Sequence, residues 1–399
     1  MREAVIVGAV RTPLGKRGGS LAEIHPVDLL GKTLKELFER TGVDPAVVDD
    51  NVTGCVSQVG EQGINVGRNA WLAAGLPEHV PSTSIDRQCG SSQQAAHFAA
   101  QAVMSGAQDV VVASGVESMT RVPMGSNIAT GGFPFPESMQ QRYNGNLVPQ
   151  GISSELIAAR WDLSREEVDA IGVRSQERAR AATDAGYFER EIYPIKVGSN
   201  GDARVFEVDE GLRETTLEKL GGLKPAFYSE ETQQRFPEIR WVTTAGNSSQ
   251  ITDGAAALLV TTPEKAKELG LKPRARFHSF AVAADDPVLM LTAVIPSTRK
   301  ALERAGLGLS DIDVVELNEA FATVVLAWKK ELGADDAWFD KNVNPNGGAI
   351  ALGHPLGASG ARLMTTLLHE MERRGARYGL QAMCEGGGMS NATILERLG

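Results

Sequence analysis

Two kinds of side chain in this 399-residue sequence are suited to covalent chemistry: three thiols and one histidine set among glycines. Cys89 lies in Asp86-Arg87-Gln88-Cys89-Gly90-Ser91-Ser92, where an extended stretch meets an alanine-rich helix expected over Ser91–Met104. A thiol at such a turn faces the positive end of the helix dipole and several free N–H groups, which favour the thiolate. Gly90 lets the backbone come close, so its amides can cradle an oxyanion. The alternative is a small buried core residue, the commonest role of a free cysteine.

His354 sits in Asn346-Gly347-Gly348-Ala349-Ile350-Ala351-Leu352-Gly353-His354-Pro355-Leu356-Gly357-Ala358-Ser359-Gly360, ahead of a helix expected over Ala361–Arg374. The glycines and proline impose an unusual backbone, and an imidazole held there is placed to take a thiol proton or donate to a developing charge. A hydrogen-bonded loop histidine is the other reading. Cys384 opens Cys384-Glu385-Gly386-Gly387-Gly388 after a strand expected over Gly379–Met383. Consecutive glycines there suit close backbone approach to a ligand, and a second thiol tuned near neutrality can move protons. A buried cysteine beside a structural turn fits equally well. Asn318, after the strand Asp313–Leu317, either caps the following helix or holds a catalytic water. Ala245-Gly246-Asn247-Ser248-Ser249-Gln250 is an ordinary polar turn or a surface for a flexible polar ligand arm. Together, two thiols, one imidazole, one amide and glycine-lined turns fit acyl transfer through a thioester better than peptide hydrolysis.

These residues need a scaffold, and the sequence supplies an alternating one. Ala4–Ala9, Asn51–Cys55 and Val110–Ala113 read as strands. Leu30, Leu34, Leu37 and Phe38 recur at helical spacing up to Gly42. This alternation favours an α/β sheet covered on both faces. From about Glu117 to Trp241 the rhythm breaks, apart from a helix announced by Ser164-x-x-Glu167 and stopping near Gly186. Such an excursion reads as an inserted subdomain that covers a binding site. The rhythm resumes at Gly254–Val260, with a helix opening at Thr262-Pro263. Weak echoes then link Lys35–Gly42 to Lys300–Gly306 and Val110–Ala113 to Gly379–Met383. Both a duplicated half and chance helical similarity account for them.

Composition narrows the function classes. Lys and Arg number 40 against 50 Asp and Glu, a formal charge of −10. That balance disfavours tracking nucleic acid or an anionic membrane. No apolar run approaches a membrane span, and the N-terminus reads as a strand rather than a signal peptide. Three cysteines, Cys55, Cys89 and Cys384, an odd and sparse count, argue against a disulfide framework and for a reducing, cytoplasmic setting. No cysteine or histidine spacing suggests zinc.

The ordered set of Cys89 with its flanks, Asn318-Glu319-Ala320-Phe321, Gly353-His354-Pro355 and Cys384-x-Gly386-Gly387-Gly388 resembles the thiolases, the acetyl-CoA C-acyltransferases. The likeness runs from Arg11-Thr12-Pro13 to Ile394-Leu395-Glu396. It implies an α/β fold, a five-layer αβαβα sandwich of two similar halves: 1–270, with a loop subdomain inserted at about 117–245, and 271–399. It implies cleavage of a 3-ketoacyl-CoA by CoA to acetyl-CoA or propionyl-CoA and a shortened acyl-CoA, reversible as a Claisen condensation. Cys89 would be the nucleophile, His354 its base, and Cys384 the acid and base for the enolate and CoA. One oxyanion site would comprise His354 and a water on Asn318; the other, the N–H groups of Cys89 and Gly386. Ser249, Lys224 and Phe321 would contact coenzyme A, a co-substrate, with no cofactor or metal held permanently. A homodimer or homotetramer is implied.

Three departures bear on the substrate. Pro149-Gln150-Gly151 stands where acetoacetyl-CoA thiolases of the biosynthetic type often carry His-Met-Gly. Glu385 replaces a common aliphatic residue, and Met389-Ser390-Asn391 replaces a more usual Gln-Gly pair. The detail looks more like actinobacterial thiolases of fatty-acid and steroid-ring catabolism. The alternatives are a biosynthetic acetoacetyl-CoA thiolase, a ketoacyl synthase, and a thiolase-like lipid carrier without catalysis. Glu385 either bears on the substrate or is a solvated turn residue with no substrate role.

Overall fold

The computed structural model describes residues 2–129, 131–198 and 203–399. The strands are apolar on both faces because both faces are covered. In Thr252–Thr261, Ala255, Ala257 and Leu259 enter one core cluster, while Ala256, Leu258 and Val260 enter another on the opposite side. The main sheet runs Ser82–Ile85, Asp50–Gly54, Val110–Ser118, Thr252–Thr261, Val5–Arg11, Ala275–Ala284, Met389–Arg397, Tyr378–Glu385, Val314–Leu317. The short strand Gly15–Lys16 pairs beside Thr252–Thr261.

This order contains the same half twice. In the first, Asp50–Gly54 lies parallel to both Ser82–Ile85 and Val110–Ser118. In the second, Val314–Leu317 lies parallel to Tyr378–Glu385, and Val343 bridges to Val315 where the outermost strand would stand. Within the sheet the two halves join where Val5 pairs with Arg276 and Ile6 with Ala275. The sequence echoes fall on matching elements: helix Pro26–Thr41 with Val294–Ala305, and strand Val110–Ser118 with Tyr378–Glu385. Gly42 ends the first of these helices at φ 70°, which glycine adopts without strain.

Helices complete the layers. Pro26–Thr41 and Val66–Ala73 pack on the outer face of the first half. Val294–Ala305 and Ala322–Leu332 do so on the second. Ser91–Ser105 and Ser359–Arg374 fill the space between the halves. Those two central helices meet through glycine. A Cβ on Gly360 would lie 2.1 Å from the Gln93 nitrogen, and one on Gly54 would lie 2.2 Å from that of Ser92. The helices that follow Cys89 and His354 are therefore seated backbone to backbone.

The long excursion leaves the sheet at Ser118 and returns at Thr252. Ser118 pairs with Asp253, so it starts and ends at one place. Within it, Ser164 and Glu167 form the expected capping box on Arg165–Asp184. Helix Gln150–Arg160 is buried over most of its length. Its Glu155 carboxylate accepts the Val242 and Thr243 N–H groups at 2.9 and 2.8 Å. Among the described residues no helix is long and apolar enough to cross a membrane.

Candidate active site

The turn before helix Ser91–Ser105 is tightly tied. Asp86 accepts the Gln88 N–H at 2.7 Å. Ser91 Oγ accepts from the Arg87 N–H at 2.9 Å and donates to the Gln88 carbonyl at 2.6 Å. These bonds hold Gln88 at φ 48°, a left-handed conformation that costs a non-glycine residue free energy. Cys89 is 4% exposed and shares one apolar cluster with Leu356 and Met383, neighbours of His354 and Cys384.

Cys384 is the last residue but one of the strand Tyr378–Glu385, and Gly386, Gly387 and Gly388 make a tight hairpin turn into Met389–Arg397. Gly387 and Gly388 both have φ 77°, so the turn needs glycine there. The Gly386 N–H points at the Cys89 sulfur, as does the Cys89 N–H, and both favour the thiolate. The Gln150 side-chain amide, at the start of helix Gln150–Arg160, does the same. Burial outweighs them. With the Glu385 charge adding to it, burial pushes Cys89 up to about 12. Desolvation thus outweighs the helix dipole and the nearby N–H groups, and Cys89 rests as a thiol. Cys384 is also pushed up rather than tuned near neutrality, by burial and then by the neighbouring Cys89. That effect, with Cys89 packed against Met383, makes the two sulfurs neighbours although they are distant in sequence.

His354 is 3% exposed. Its N–H is held by the Gln250 carbonyl at 3.1 Å. Ser359 Oγ lies 2.5 Å from Nδ1 and donates its proton to the Pro355 carbonyl at 2.9 Å. A hydroxyl has one proton, so Ser359 accepts from His354 Nδ1–H, and Nε2 carries the free lone pair. Burial first, then the Arg362 charge, pull His354 down to about 3, so it is neutral at physiological pH. Asn318 Nδ2 approaches Nε2 at 3.4 Å. Asn318 caps nothing: the next helix starts at Ala322 with Phe321 before it. Its N–H bonds the Ala382 carbonyl at 3.0 Å, and its buried Oδ1 has no partner among the described residues.

Ser249 and Phe321 are adjacent in space. The Ser249 N–H donates to the Ala320 carbonyl at 2.9 Å, and Ser248 bridges to Phe321. Phe321 packs edge-on with Phe227, centroids 6.2 Å apart, and Phe227 covers Gly151. Lys224 is exposed three residues before Phe227. Three residues carry more than their types announced. Ser359 sets the imidazole tautomer, and Gln150 faces the nucleophile. Glu385 is fully buried, overturning its reading as a solvated turn residue. Spacing alone offered no signal for Ser359; Gln150 and Glu385 were visible only as departures. Among the described residues no group of His, Cys, Asp or Glu is arranged to hold a metal ion.

The arrangement can form and break a thioester. It offers a nucleophilic sulfur, a neutral imidazole with a bare nitrogen, a second sulfur for proton transfer, and N–H groups aimed at a developing oxyanion. Comparison with known proteins agrees. The chain matches the family description "Thiolase, N-terminal domain" over residues 4–264 and "Thiolase, C-terminal domain" over 271–397. It is 53% identical to the steroid 3-ketoacyl-CoA thiolase FadA6 of Mycobacterium tuberculosis, over all of this chain and 95% of that one. It is 44% identical to a 3-ketoacyl-CoA thiolase of Erwinia tasmaniensis over the full length of both. The crystal structure of the Bacillus anthracis acetyl-CoA acetyltransferase superposes with a TM-score of 0.88 at 38% identity, covering 100% of this chain and 99% of that one. Matched in both halves of its fold and over its whole length, the chain belongs to the thiolase family and is an acyltransferase.

Proposed function

We propose that this thiolase works in the degradative direction on a 3-ketoacyl-CoA with a bulky or long acyl part, of the fatty-acid or steroid-ring kind. Two buried, protonated thiols and a neutral imidazole fit thiolase chemistry in either direction, and the likeness to 3-ketoacyl-CoA thiolases carries the degradative reading. The 53% identity to a steroid 3-ketoacyl-CoA thiolase and the replacement of the biosynthetic-type His-Met-Gly by Pro149-Gln150-Gly151 support the substrate class.

The steps follow from the protonation states. Cys89 loses its proton to His354 Nε2 as its sulfur bonds the ketone carbon. With His354 near 3 and Cys89 near 12, proton transfer alone is uphill, so it accompanies C–S bond formation. His354, now cationic, and Asn318 face the oxyanion. The carbon–carbon bond then breaks, and its electron pair passes to the acetyl-CoA enolate, whose thioester oxygen meets the N–H groups of Cys89 and Gly386. The enolate carbon takes the Cys384 proton. The Cys384 thiolate next takes the proton of incoming CoA, whose sulfur attacks the acyl group on Cys89. The Cys89 sulfur leaves and recovers its proton from His354. Every proton is returned, as a catalyst requires. Ser249 and Phe321 line the path of the CoA arm, and Lys224 meets its phosphates. Residues 1–270, with an insertion at about 117–245, and 271–399 are the two halves of a subunit of a homodimer or homotetramer.

The test is thiolysis of acetoacetyl-CoA, a long-chain 3-ketoacyl-CoA and a cyclic 3-ketoacyl-CoA, compared by kcat/KM. The bulky substrates are expected to exceed acetoacetyl-CoA. The reverse order would return the protein to the biosynthetic type. Cys89→Ser and Cys384→Ser are each expected to abolish turnover, with only Cys89→Ser preventing acylation of the protein. Normal turnover by either variant would defeat the assigned roles.

A further inference from the structure

The thiolysis steps leave one buried acid of the site unused. Glu385 follows Cys384 and is 0% exposed, and neither carboxyl oxygen has a hydrogen-bond partner among the described residues. A buried carboxylate without partners is a costly arrangement, and a proton relieves it. The carboxyl lies against the nucleophile turn: a Cβ on Gly90, the residue after Cys89, would sit 2.0 Å from Glu385 Oε1. The same Cβ would sit 2.8 Å from Asn391 Nδ2. Asn391 is oriented, because Nδ2 donates to the Gly90 carbonyl at 3.0 Å. Its Oδ1 is buried and, like the carboxyl oxygens, without a partner among the described residues.

A single proton answers both vacancies, since a carboxylic acid O–H is a donor and Asn391 Oδ1 an acceptor. We propose that Glu385 is a positioning residue of the nucleophile turn that acts as a neutral acid: its proton bridges to Asn391, which holds the Gly90 carbonyl, and its ionisation withdraws Cys89 from reaction. This rests on the reading of Cys89 as the nucleophile. The Gly90 carbonyl also accepts the Gln94 N–H at 2.8 Å, the first hydrogen bond of the helix behind Cys89. The chain from Glu385 through Asn391 to Gly90 therefore sets where that helix begins and where the sulfur points.

Ionisation undoes this in two ways. A carboxylate facing Asn391 Oδ1 sets acceptor against acceptor. It also puts a negative charge beside a sulfur that must itself become negative, and the Glu385 charge raises both Cys89 and Cys384. The other charged groups facing Glu385 are Arg87, which favours its ionisation, and Asp86, which opposes it; both lie on the nucleophile loop. From its own strand it faces Cys384, and from the neighbouring strand the uncharged Asn391, whose backbone N–H also favours ionisation. Burial dominates and pushes Glu385 up to about 8.

The test is the rate at which iodoacetamide alkylates Cys89, followed by peptide mass mapping so that Cys55 and Cys384 are counted separately. The rate tracks the thiolate, so it rises about tenfold per pH unit well below the thiol pKa. In the wild type this line is expected to bend towards a plateau near pH 8, as Glu385 ionises and holds Cys89 back. Glu385→Gln, which keeps an N–H donor towards Asn391 but cannot ionise, is expected to hold a straight line to about pH 10. Glu385→Met, apolar and of similar length, gives the same straight line should the Gln variant not fold. A straight wild-type line, or the same bend in both variants, overturns the proposal. A purely structural role for Glu385 shifts the rate at every pH and leaves the bend. The labelling needs no turnover. Thiolysis by Cys89→Ser therefore tests the nucleophile assignment separately, and the alkylation profile still reports on Glu385 if that assignment fails.

Discussion

Replacing Gly360 with alanine sets two opposing effects against each other. Gly360 lies in the first turn of Ser359–Arg374, the helix behind His354, where alanine is the better helix former by up to about 1 kcal/mol. Propensity alone therefore makes Gly360→Ala stabilising. The packing says otherwise. The new Cβ would stand 2.1 Å from the Gln93 nitrogen and 2.8 Å from its Cα, both backbone atoms of the helix behind Cys89. Reaching an ordinary contact of 3.4 Å requires the two helices to part by about 1.3 Å. Overpacking of this kind costs about 1–3 kcal/mol, which exceeds the propensity gain. The same displacement separates the turns that carry Cys89 and His354. A misplacement of about 1 Å costs roughly a hundredfold in rate, or about 2.7 kcal/mol of transition-state stabilisation. We expect kcat/KM for thiolysis to fall about a hundredfold and the denaturation midpoint to drop. A variant with wild-type kcat/KM and a raised midpoint would show that the central helices are not held by backbone contact, and the argument would fail.

Other expectations follow from single contacts. Ser359→Ala removes the acceptor of His354 Nδ1–H and lets the imidazole sample the wrong tautomer. We expect kcat to fall about tenfold to a hundredfold with KM little changed; an unchanged kcat refutes the tautomer assignment. Arg11 is fully buried between Glu191, at 2.6 Å, and Asp209, bonded twice at 2.8 and 3.0 Å. Arg11→Met leaves two buried carboxylates uncompensated and should cost about 3–5 kcal/mol by urea denaturation; a loss under about 1 kcal/mol contradicts it. Glu385 is raised from 4.5 to about 8 by burial, so the folded state keeps a proton that the unfolded state loses. Its contribution to wild-type stability therefore declines as pH rises through that window. The stability advantage of Glu385→Gln should grow from about pH 4.5 to about pH 8, by a few kcal/mol. An advantage independent of pH over that range would mean the carboxyl is solvated.

Much of the frame was legible from local pattern. The capping box at Ser164 and Glu167, the proline start after Thr262 and the left-handed stop at Gly42 are contained within a few residues, and all stand where the sequence put them. The faint echo between the halves marks equivalent elements because a repeated βα order repeats its helix stops and buried strands. Net protonation was not legible. The dipole at Cys89 is a local property, whereas its burial depends on packing with Leu356 and Met383 from the other half. The burial of Glu385 was hidden for the same reason: its type and its glycine neighbours are local, but the wall that buries it is not.

The repeat sharpens this contrast. Gly54 pairs with Gly115 in the first half, as Leu317 does with Ala382 in the second. Two residues further along stand Glu117 and Cys384. Glu117 accepts the N–H groups of Val56, Ser57 and Gly357 at 2.9, 3.0 and 2.8 Å, pinning the loop after His354. Cys384, at the matching strand end, instead faces Cys89. One strand end became a carboxylate clamp, and the other carries a thiol beside Cys89.

The sequence by itself determined the strands, the helix limits and the inventory of thiols, imidazole and glycine turns, because each depends on side-chain period, backbone freedom or residue type. Only the tertiary structure decided that Asn318 approaches His354, that Cys89 neighbours Cys384, which nitrogen of the histidine is bare, and that the thiols rest protonated. Those outcomes depend on desolvation and on contacts between segments hundreds of residues apart, which no local pattern encodes.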